Sequence, residues 1–143
     1  MTSHESGIRA LLEERVEACR TKDIDRLMSL YSDDVVYYDV VPPLHFTGHE
    51  AVRRNFLRWF DGYEGPIGLE THEPTLACGD GGLAFAHMLH LDSGTRRDGT
   101  VMSVWVRSSL GLARSDGRWL ITHEHISVPI DPETLRAWFP PDR

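Results

Sequence analysis

Apolar residues recur three or four positions apart near the start of the chain, and this spacing places them on one face of an α-helix. The pattern predicts a helix over residues 5–21, with Arg15 on its apolar face. Asp23 has the position of an N-cap for a shorter second helix, which the Ser32-Asp33-Asp34 run should end. The apolar residues of these two helices are Ile8, Leu11, Leu12, Val16, Cys19, Ile24, Leu27, Met28 and Tyr31.

A β-branched and aromatic run at 35–40 predicts the first strand, and Pro42-Pro43 ends it because proline cannot donate to a strand ladder. Asp39 therefore lies near the end of this strand. Strand side chains alternate between two faces, so Asp39 shares a face with Val35 and Tyr37.

A third helix is predicted after Thr47 and Glu50, which have the spacing of a capping box. Gly62 and Gly65 should end it. Its apolar face carries Val52, Phe56, Trp59 and Phe60.

The second half of the chain reads as strands separated by glycine-rich or Asp-Gly turns, which is typical of an antiparallel meander. A short terminal turn of helix is expected at Asp131-Pro132, and Pro140-Pro141 should leave a tail. The predicted strands are 67–78, 83–92, 101–114 and 118–128.

Three helices followed by long strands predict an α+β fold in which the helices cover one face of a curved, mostly antiparallel sheet. Aromatic helix faces would close an internal pocket at the mouth of that sheet. We expect residues 1–143 to form one domain, with a core over about 5–129 and a tail over 130–143.

The net charge of the chain limits the kinds of partner that it can bind. Fifteen Lys and Arg against 22 Asp and Glu give a net charge of −7, so nucleic acids and anionic membranes would be repelled on average. Cys19 and Cys78 have neither metal-binding nor redox spacing, and residues 1–9 lack the apolar segment of a secretion signal. We therefore expect a cytoplasmic protein with a small neutral or cationic ligand.

The order and spacing of several short motifs resemble the SnoaL-like branch of the nuclear-transport-factor-like superfamily, which includes the ketosteroid isomerases. The resemblance covers nearly the whole chain. It implies a cone-shaped α+β fold with an internal pocket, and a homodimer formed through the outer face of the sheet. The motifs are Asp23-Ile-Asp25 with Leu27, Leu30-Tyr-Ser-Asp-Asp34, Tyr38-Asp39, Gly48-His-Glu-Ala-Val52, Phe85-Ala-His87, Asp116-Gly-Arg-Trp119 and His123-Glu-His-Ile-Ser127.

The resemblance gives Asp39 the position of the strand aspartate that transfers a proton in ketosteroid isomerases. An apolar strand face would favour its action as a base. The alternative is that Asp39 only caps the Pro42-Pro43 loop. Arg15 and Ser109 take the positions of the isomerases' tyrosine and protonated aspartate, and because an arginine stays charged, steroid isomerisation is disfavoured. Arg15 would polarise a carbonyl, bind a carboxylate, or lie at a solvated surface.

His87 alternates with Phe85 and Leu89 along a strand, and the resemblance places this row inside the cone. His87 is therefore a candidate general acid or base opposite Asp39. The alternative is a core histidine that hydrogen-bonds a buried carbonyl.

The His123-Glu124-His125 run puts its two histidines on one strand face and Glu124 on the other. Regular pairing groups Glu124 with Trp105 and Arg107, and the resemblance favours that face as the inner one. The opposite face is more apolar, and a bulge would change the alternation, so both faces stay open. His-x-His also suits zinc or iron, but no second short-spaced ligand pair accompanies it, and we expect no metal or cofactor.

Two functions follow from these expectations. The first is an enzyme of isomerase, cyclase, dehydratase or hydrolase type that performs acid–base chemistry on a small carbonyl or polycyclic substrate. Polyketide cyclases belong to the same superfamily. The second is a dimeric binding or assembly domain without turnover, in which Arg15 and Arg107 hold an anionic ligand. The expected site has Asp39 and His87 as catalytic residues and Arg15, Tyr37, Trp59, Trp105, Arg107, Glu124 and His125 as substrate-binding residues.

Overall fold

The computed structural model describes residues 2–140. Its three helices are α1 (Ser3–Arg20), α2 (Ile24–Met28) and α3 (His49–Asp61). The strands are β1 (Tyr31–Tyr38), β2 (Phe46–Thr47), β3 (Tyr63–Cys78), β4 (Leu83–Arg96), β5 (Val101–Ser115), β6 (Arg118–Ser127), β7 (Ile130–Asp131) and β8 (Arg136–Ala137).

Six strands form one curved sheet in the order β2-β1-β6-β5-β4-β3, and the sheet stays open. Strands β3 to β6 form the predicted antiparallel meander, whereas β1 runs parallel to β6. Helix α1 packs on β3 and β6, and α3 packs on β1, so the helices cover one face of the sheet. The expected α+β class is confirmed. In the part of the chain that the structure describes, no helix combines the length and the apolar character needed to cross a membrane.

Several element boundaries differ from the predictions. Tyr31 begins β1, where it pairs with Ile121, and does not continue α2. Thr47 belongs to β2 and its hydroxyl contacts His45, so the capping box is not formed. The N-cap of α3 is instead Gly48, whose φ of 92° lies in the region that favours glycine.

The predicted terminal turn of helix is also wrong. Residues 130–137 form a two-stranded hairpin, because the Asp131 carboxylate accepts a hydrogen bond from the Glu133 amide and stabilises a turn. The tail beyond residue 140 lies outside the described residues.

A bulge in β6 determines which side chains face the helices. Gly111 pairs with His123 but Leu112 pairs with Ile121, so Thr122 is an extra residue in the strand. The bulge breaks the two-residue alternation, and Ile121 and Glu124 therefore both lie on the covered face, fully buried. Regular alternation would have put them on opposite faces.

Candidate functional site

A cavity of about 230 Å³ lies between the covered face of the sheet and helices α1 and α3. Its exposed lining residues, Val40, Arg58 and Arg96, mark its mouth. The wall is mostly apolar with a small set of polar side chains, which is typical of small-molecule sites. The apolar and aromatic wall includes Tyr37, Phe56, Trp59, Val104, Val106 and Ile126, and the polar wall includes Arg15, Asp39, Asn55, His90, Asp92 and Glu124.

The deepest polar feature is an ion pair between Arg15 of α1 and Glu124 of β6. The Arg15 Nη2 to Glu124 Oε2 distance is 2.7 Å, and both side chains are at most 5% exposed. The hydroxyl of Tyr31 donates a hydrogen bond of 2.5 Å to Glu124 Oε1, so both carboxylate oxygens have a partner. Burial in this network raises the pKa of the Tyr31 hydroxyl, which stays neutral and donates.

The same arginine fixes the protonation of His90. Arg15 Nη1 lies 3.3 Å from His90 Nε2, and because a guanidinium only donates, Nε2 must accept. The ring proton then lies on Nδ1, which is 3.3 Å from the Thr71 hydroxyl. Burial, followed by the charge of Arg15, lowers the pKa of His90 to about 3. His90 is therefore neutral at physiological pH and cannot act as a general acid there.

Asp39 follows the end of β1 and is held by groups of its own loop and of α3. Asn55 Nδ2 donates to Asp39 Oδ2 at 2.7 Å, and the Val40 amide donates to Oδ1 at 2.7 Å. Arg58 Nη2 lies 3.7 Å from Asp39 Oδ2, and the Arg58 guanidinium also donates two hydrogen bonds to the side-chain oxygen of Asn55. Asp39 thus has a donor on each oxygen, while its side chain is 13% exposed toward the cavity.

Asp92 of β4 has the opposite surroundings. Its Oδ1 atom is buried and has no hydrogen-bond partner among the described residues. Burial raises its pKa to about 7; the charge of Arg15 acts in the lowering direction, and those of Asp39 and Glu124 add to the increase. Asp92 can therefore gain or lose a proton near neutral pH, in contact with the cavity.

Tyr37 and the aromatic side chains of α3 build the apolar wall. Tyr37 packs edge-on against Phe56 with the ring centres 5.4 Å apart, and Phe56 contacts Trp59 at 6.4 Å. Burial raises the pKa of the Tyr37 hydroxyl well above its ordinary value. Tyr37 is therefore a neutral hydrogen-bond donor at the cavity wall.

Five of the residues expected at the site do line the cavity. They come from α1, β1 and its following loop, α3 and β6, and the structure brings them together through the packing of these elements. They are Arg15, Tyr37, Asp39, Trp59 and Glu124.

The other four expected residues lie on the opposite, uncovered face of the sheet. His87 is exposed and stacks on Phe85, because the inward row of β4 is Ala86, Met88, His90 and Asp92. Trp105 and Arg107 alternate with the inward Val104, Val106 and Ser108, and Trp105 packs on His72 while Arg107 binds Ser127. His125 is exposed and contacts Tyr38. The expectation that these four line the pocket is wrong.

Several functional candidates were missed by the sequence reasoning, namely Asn55, Arg58, His90 and Asp92. Asn55 carried a usable signal, since it is a polar residue on the apolar face of α3, as Arg15 is on α1. The row of β4 that holds His90 and Asp92 is no more apolar in sequence than the row that holds His87, so alternation alone could not identify the inner one.

The histidine pair of β6 shows no metal-binding arrangement. His123 Nδ1 lies 2.8 Å from the Val36 carbonyl, and both histidines pack edge-on against Tyr38. Among residues 2–140, no three His, Cys, Asp or Glu side chains are grouped so that they could hold a metal ion.

We predict that Asp92 gives the protein a measurable pH-dependent stability. Its pKa rises from 3.8 to about 7 on folding, so between about pH 4 and 7 the folded state holds a proton that the unfolded chain has lost. The free energy of unfolding of the wild type relative to Asp92→Asn should then fall as pH rises through this window, by up to about 1.4 kcal/mol per pH unit, and level off above it.

Urea titrations of both proteins at several pH values measure this difference. His90 has the opposite effect on the pH dependence: because its pKa is lowered on folding, the free energy of unfolding falls as pH drops below about 6.5. Both proteins contain His90, so its effect cancels in the difference. A wild-type-minus-variant difference that is constant from pH 4 to 8 would contradict the raised pKa.

Comparison with known proteins agrees with this architecture. A family model described as a SnoaL-like domain matches residues 8–131. A protein of unknown function from Pseudomonas putida, described as NTF2-like, is 34% identical with a TM-score of 0.86, over 97% of this chain and 96% of that one. No curated protein matches.

More distant structures share the fold at lower identity. A ketosteroid isomerase-like protein from Erwinia carotovora atroseptica is 19% identical with a TM-score of 0.77, over 89% of this chain and 97% of that one. A candidate dehydratase of the NTF2-like family from Streptomyces avermitilis is 14% identical with a TM-score of 0.77, over 88% and 97%. The family match spans most of the chain, and the protein therefore belongs to the SnoaL-like family.

Proposed function

We propose that the protein is an enzyme that transfers protons to and from a small organic molecule in this cavity, without a cofactor. The observation that carries the proposal is Asp92, which lines the cavity and whose buried Oδ1 atom has no hydrogen-bond partner within the described part of the chain. Buried polar groups nearly always have partners, and the exceptions call for a functional explanation. A titration near neutral pH is the property that a general acid or base needs.

Asp39 is the second carboxylate of the proposed reaction. Its two oxygens accept hydrogen bonds from Asn55 and the Val40 amide, whereas Asp92 Oδ1 accepts none. Two carboxylates in such different environments can take different roles in one site. We assign proton transfer to Asp92, and we assign to Asp39 the stabilisation of positive charge or the orientation of the substrate beside it.

This assignment replaces His87 as the partner of Asp39. His87 lies on the uncovered face, and the only histidine on the cavity wall, among the described residues, is the neutral His90. Tyr37 and Trp59 form the apolar walls that orient the substrate. Isomerisation, cyclisation, dehydration and hydrolysis all use proton transfer, so this step is common to the activities that the family resemblance implies.

The alternative of a binding domain that holds an anion between Arg15 and Arg107 receives no support. Arg15 is buried and paired with Glu124, while Arg107 lies on the other side of the sheet and binds Ser127. The two guanidinium groups cannot contact one ligand.

The proton transfer can be tested with cyclohexanone in D₂O, where NMR follows exchange of the protons next to the carbonyl. We predict that the wild type accelerates exchange and that its rate rises with pH, with an inflection at about pH 7. Asp92→Asn should lower the exchange rate about 100-fold or more and remove this inflection. Asp39→Asn should lower the rate but keep the inflection. His87→Ala, on the uncovered face, is the control and should leave it unchanged. Equal rates for wild type and Asp92→Asn would contradict the assignment.

We further propose that two copies associate through the uncovered face of the sheet, as the family resemblance implies. Phe85 is 53% exposed on this face and stacks on His87, and the half-buried Trp105 and the charged Arg107 lie farther along the same face. A two-fold axis would bring the same apolar patch of both copies together.

Sedimentation velocity tests the dimer. The wild type should sediment at twice the chain mass and Phe85→Asp should shift toward the monomer. Leu44→Asp, a matched change at a 92% exposed leucine in the loop before β2, should leave the dimer intact. A wild type that is monomeric at every concentration would contradict the proposal.

A further inference from the structure

Two buried polar atoms without a hydrogen-bond partner belong to residues of the cavity wall, and they indicate which groups a ligand should offer. In residues 2–140, five buried side-chain nitrogen or oxygen atoms lack a hydrogen-bond partner. Only two of the five belong to residues that line the cavity, and these are Arg15 Nε and Asp92 Oδ1. Arg15 Nε is a donor, since a guanidinium has no acceptor, and Asp92 can donate or accept with its protonation state.

The other charged groups in the interior of the cavity are already paired with one another. The positive charge of Arg15 is paired with Glu124 at 2.7 Å, and that of Arg58 lies 3.7 Å from Asp39. Arg96 also lines the cavity, but it is exposed at the mouth, where solvent screens its charge. A carboxylate in the interior would find no unpaired cation and would lie beside three acidic groups.

An ammonium group of a ligand would also lack an unpaired counter-charge while Asp92 is protonated. Both other carboxylates of the wall have their own partners, and the buried guanidinium of Arg15 would repel a second positive charge. Taking an unpaired ion out of water carries a large penalty, which the wall does not offset for either sign.

Size sets a further limit. A volume of about 230 Å³ is below the range of about 300–1,000 Å³ that is usual for drug-sized ligands. A molecule with one ring and a short substituent fits this space better than a polycyclic one.

We infer that the cavity takes an uncharged, mostly apolar, single-ring molecule whose carbonyl or similar oxygen accepts a hydrogen bond from Arg15 Nε next to Asp92, and that it discriminates against carboxylates of the same shape. This inference rests on the proposed use of the cavity as the ligand site. Arg15 acts here through its Nε–H group, while its two terminal nitrogens, bound to Glu124 and His90, fix its position.

Four probes that share a benzene ring test the inference at about pH 6, where Asp92 is mostly protonated: acetophenone, ethylbenzene, benzoate and benzylammonium. Binding is measured by NMR titration of the Trp59 indole signal, assigned by its loss in Trp59→Phe. We expect acetophenone to bind at least about tenfold more tightly than either ion, because neither charge finds a partner. It should also bind about tenfold more tightly than ethylbenzene, because only acetophenone can accept from Arg15.

Variants locate the interaction. Removal of Arg15 alone would leave Glu124 buried without its partner, so the test uses Arg15→Met together with Glu124→Gln, which removes both charges and keeps an oxygen for Tyr31. In this double variant the preference for acetophenone over ethylbenzene should fall to within about threefold. The matched control is Arg107→Met on the uncovered face, which should keep the wild-type preference.

Three results would overturn the inference: benzoate or benzylammonium binding as tightly as acetophenone, no acetophenone binding, or a preference that survives in the double variant. The outcome separates from that of the proposed reaction, because binding is read without turnover. Tight acetophenone binding without cyclohexanone exchange would leave the inference standing and reject the proposed proton transfer. Cyclohexanone exchange without preferential binding of acetophenone would support the proposed proton transfer and reject the inference about the ligand.

Discussion

The buried ion pair between Arg15 and Glu124 is the interaction on which the cavity depends. With Tyr31 and His90 it joins α1, β1, β4 and β6 in one hydrogen-bonded network. Removing one member of a buried pair typically costs about 3–5 kcal/mol, because the other charge is left without a partner. The pair therefore restrains the position of α1 over the sheet and, with it, the depth of the cavity.

The same pair controls the chemistry available inside. Glu124 pairs with the buried cation Arg15, and burial together with the charge of Arg15 keeps His90 neutral, so neither residue provides a free charge to a ligand. Asn55, Arg58 and a backbone amide occupy the oxygens of Asp39 in a similar way. Asp92 is left as the carboxyl group of the wall with an unpaired oxygen and with a proton that can leave near neutral pH. The network thus concentrates the proposed reactivity in one side chain.

Much of this architecture could be predicted because its signals are local. Helical spacing located α1, and the N-cap Asp23 does accept from the Arg26 amide. The motif order identified the family, and Arg15 and Asp39, which the resemblance singled out, both line the cavity. The fold and the first of the two carboxylates were therefore accessible from the sequence.

The rest depends on contacts between distant segments. Alternation along β4 gives two rows of side chains, and the sequence does not show which row faces the cavity. Pairing with β5 and the packing of α1 turn the row with His90 and Asp92 inward and the row with His87 outward. The bulge at Thr122 shifts the alternation of β6 by one residue. Regular pairing would place Glu124 on the same face of the sheet as Trp105 and Arg107, whereas in the structure Glu124 lies on the opposite face from both. The unpaired state of Asp92 is a property of all its neighbours together, and no sequence pattern contains it.

The central claim is that the buried Oδ1 atom of Asp92 has no hydrogen-bond partner among residues 2–140, in a cavity whose other interior charges are paired. The most direct test is a ¹³C NMR titration of the protein labelled at the aspartate side-chain carboxyl, with the Asp92 signal identified by its loss in Asp92→Asn. The account predicts a midpoint at about pH 7 for this signal. A midpoint near the ordinary aspartate value of about 3.9 would contradict it.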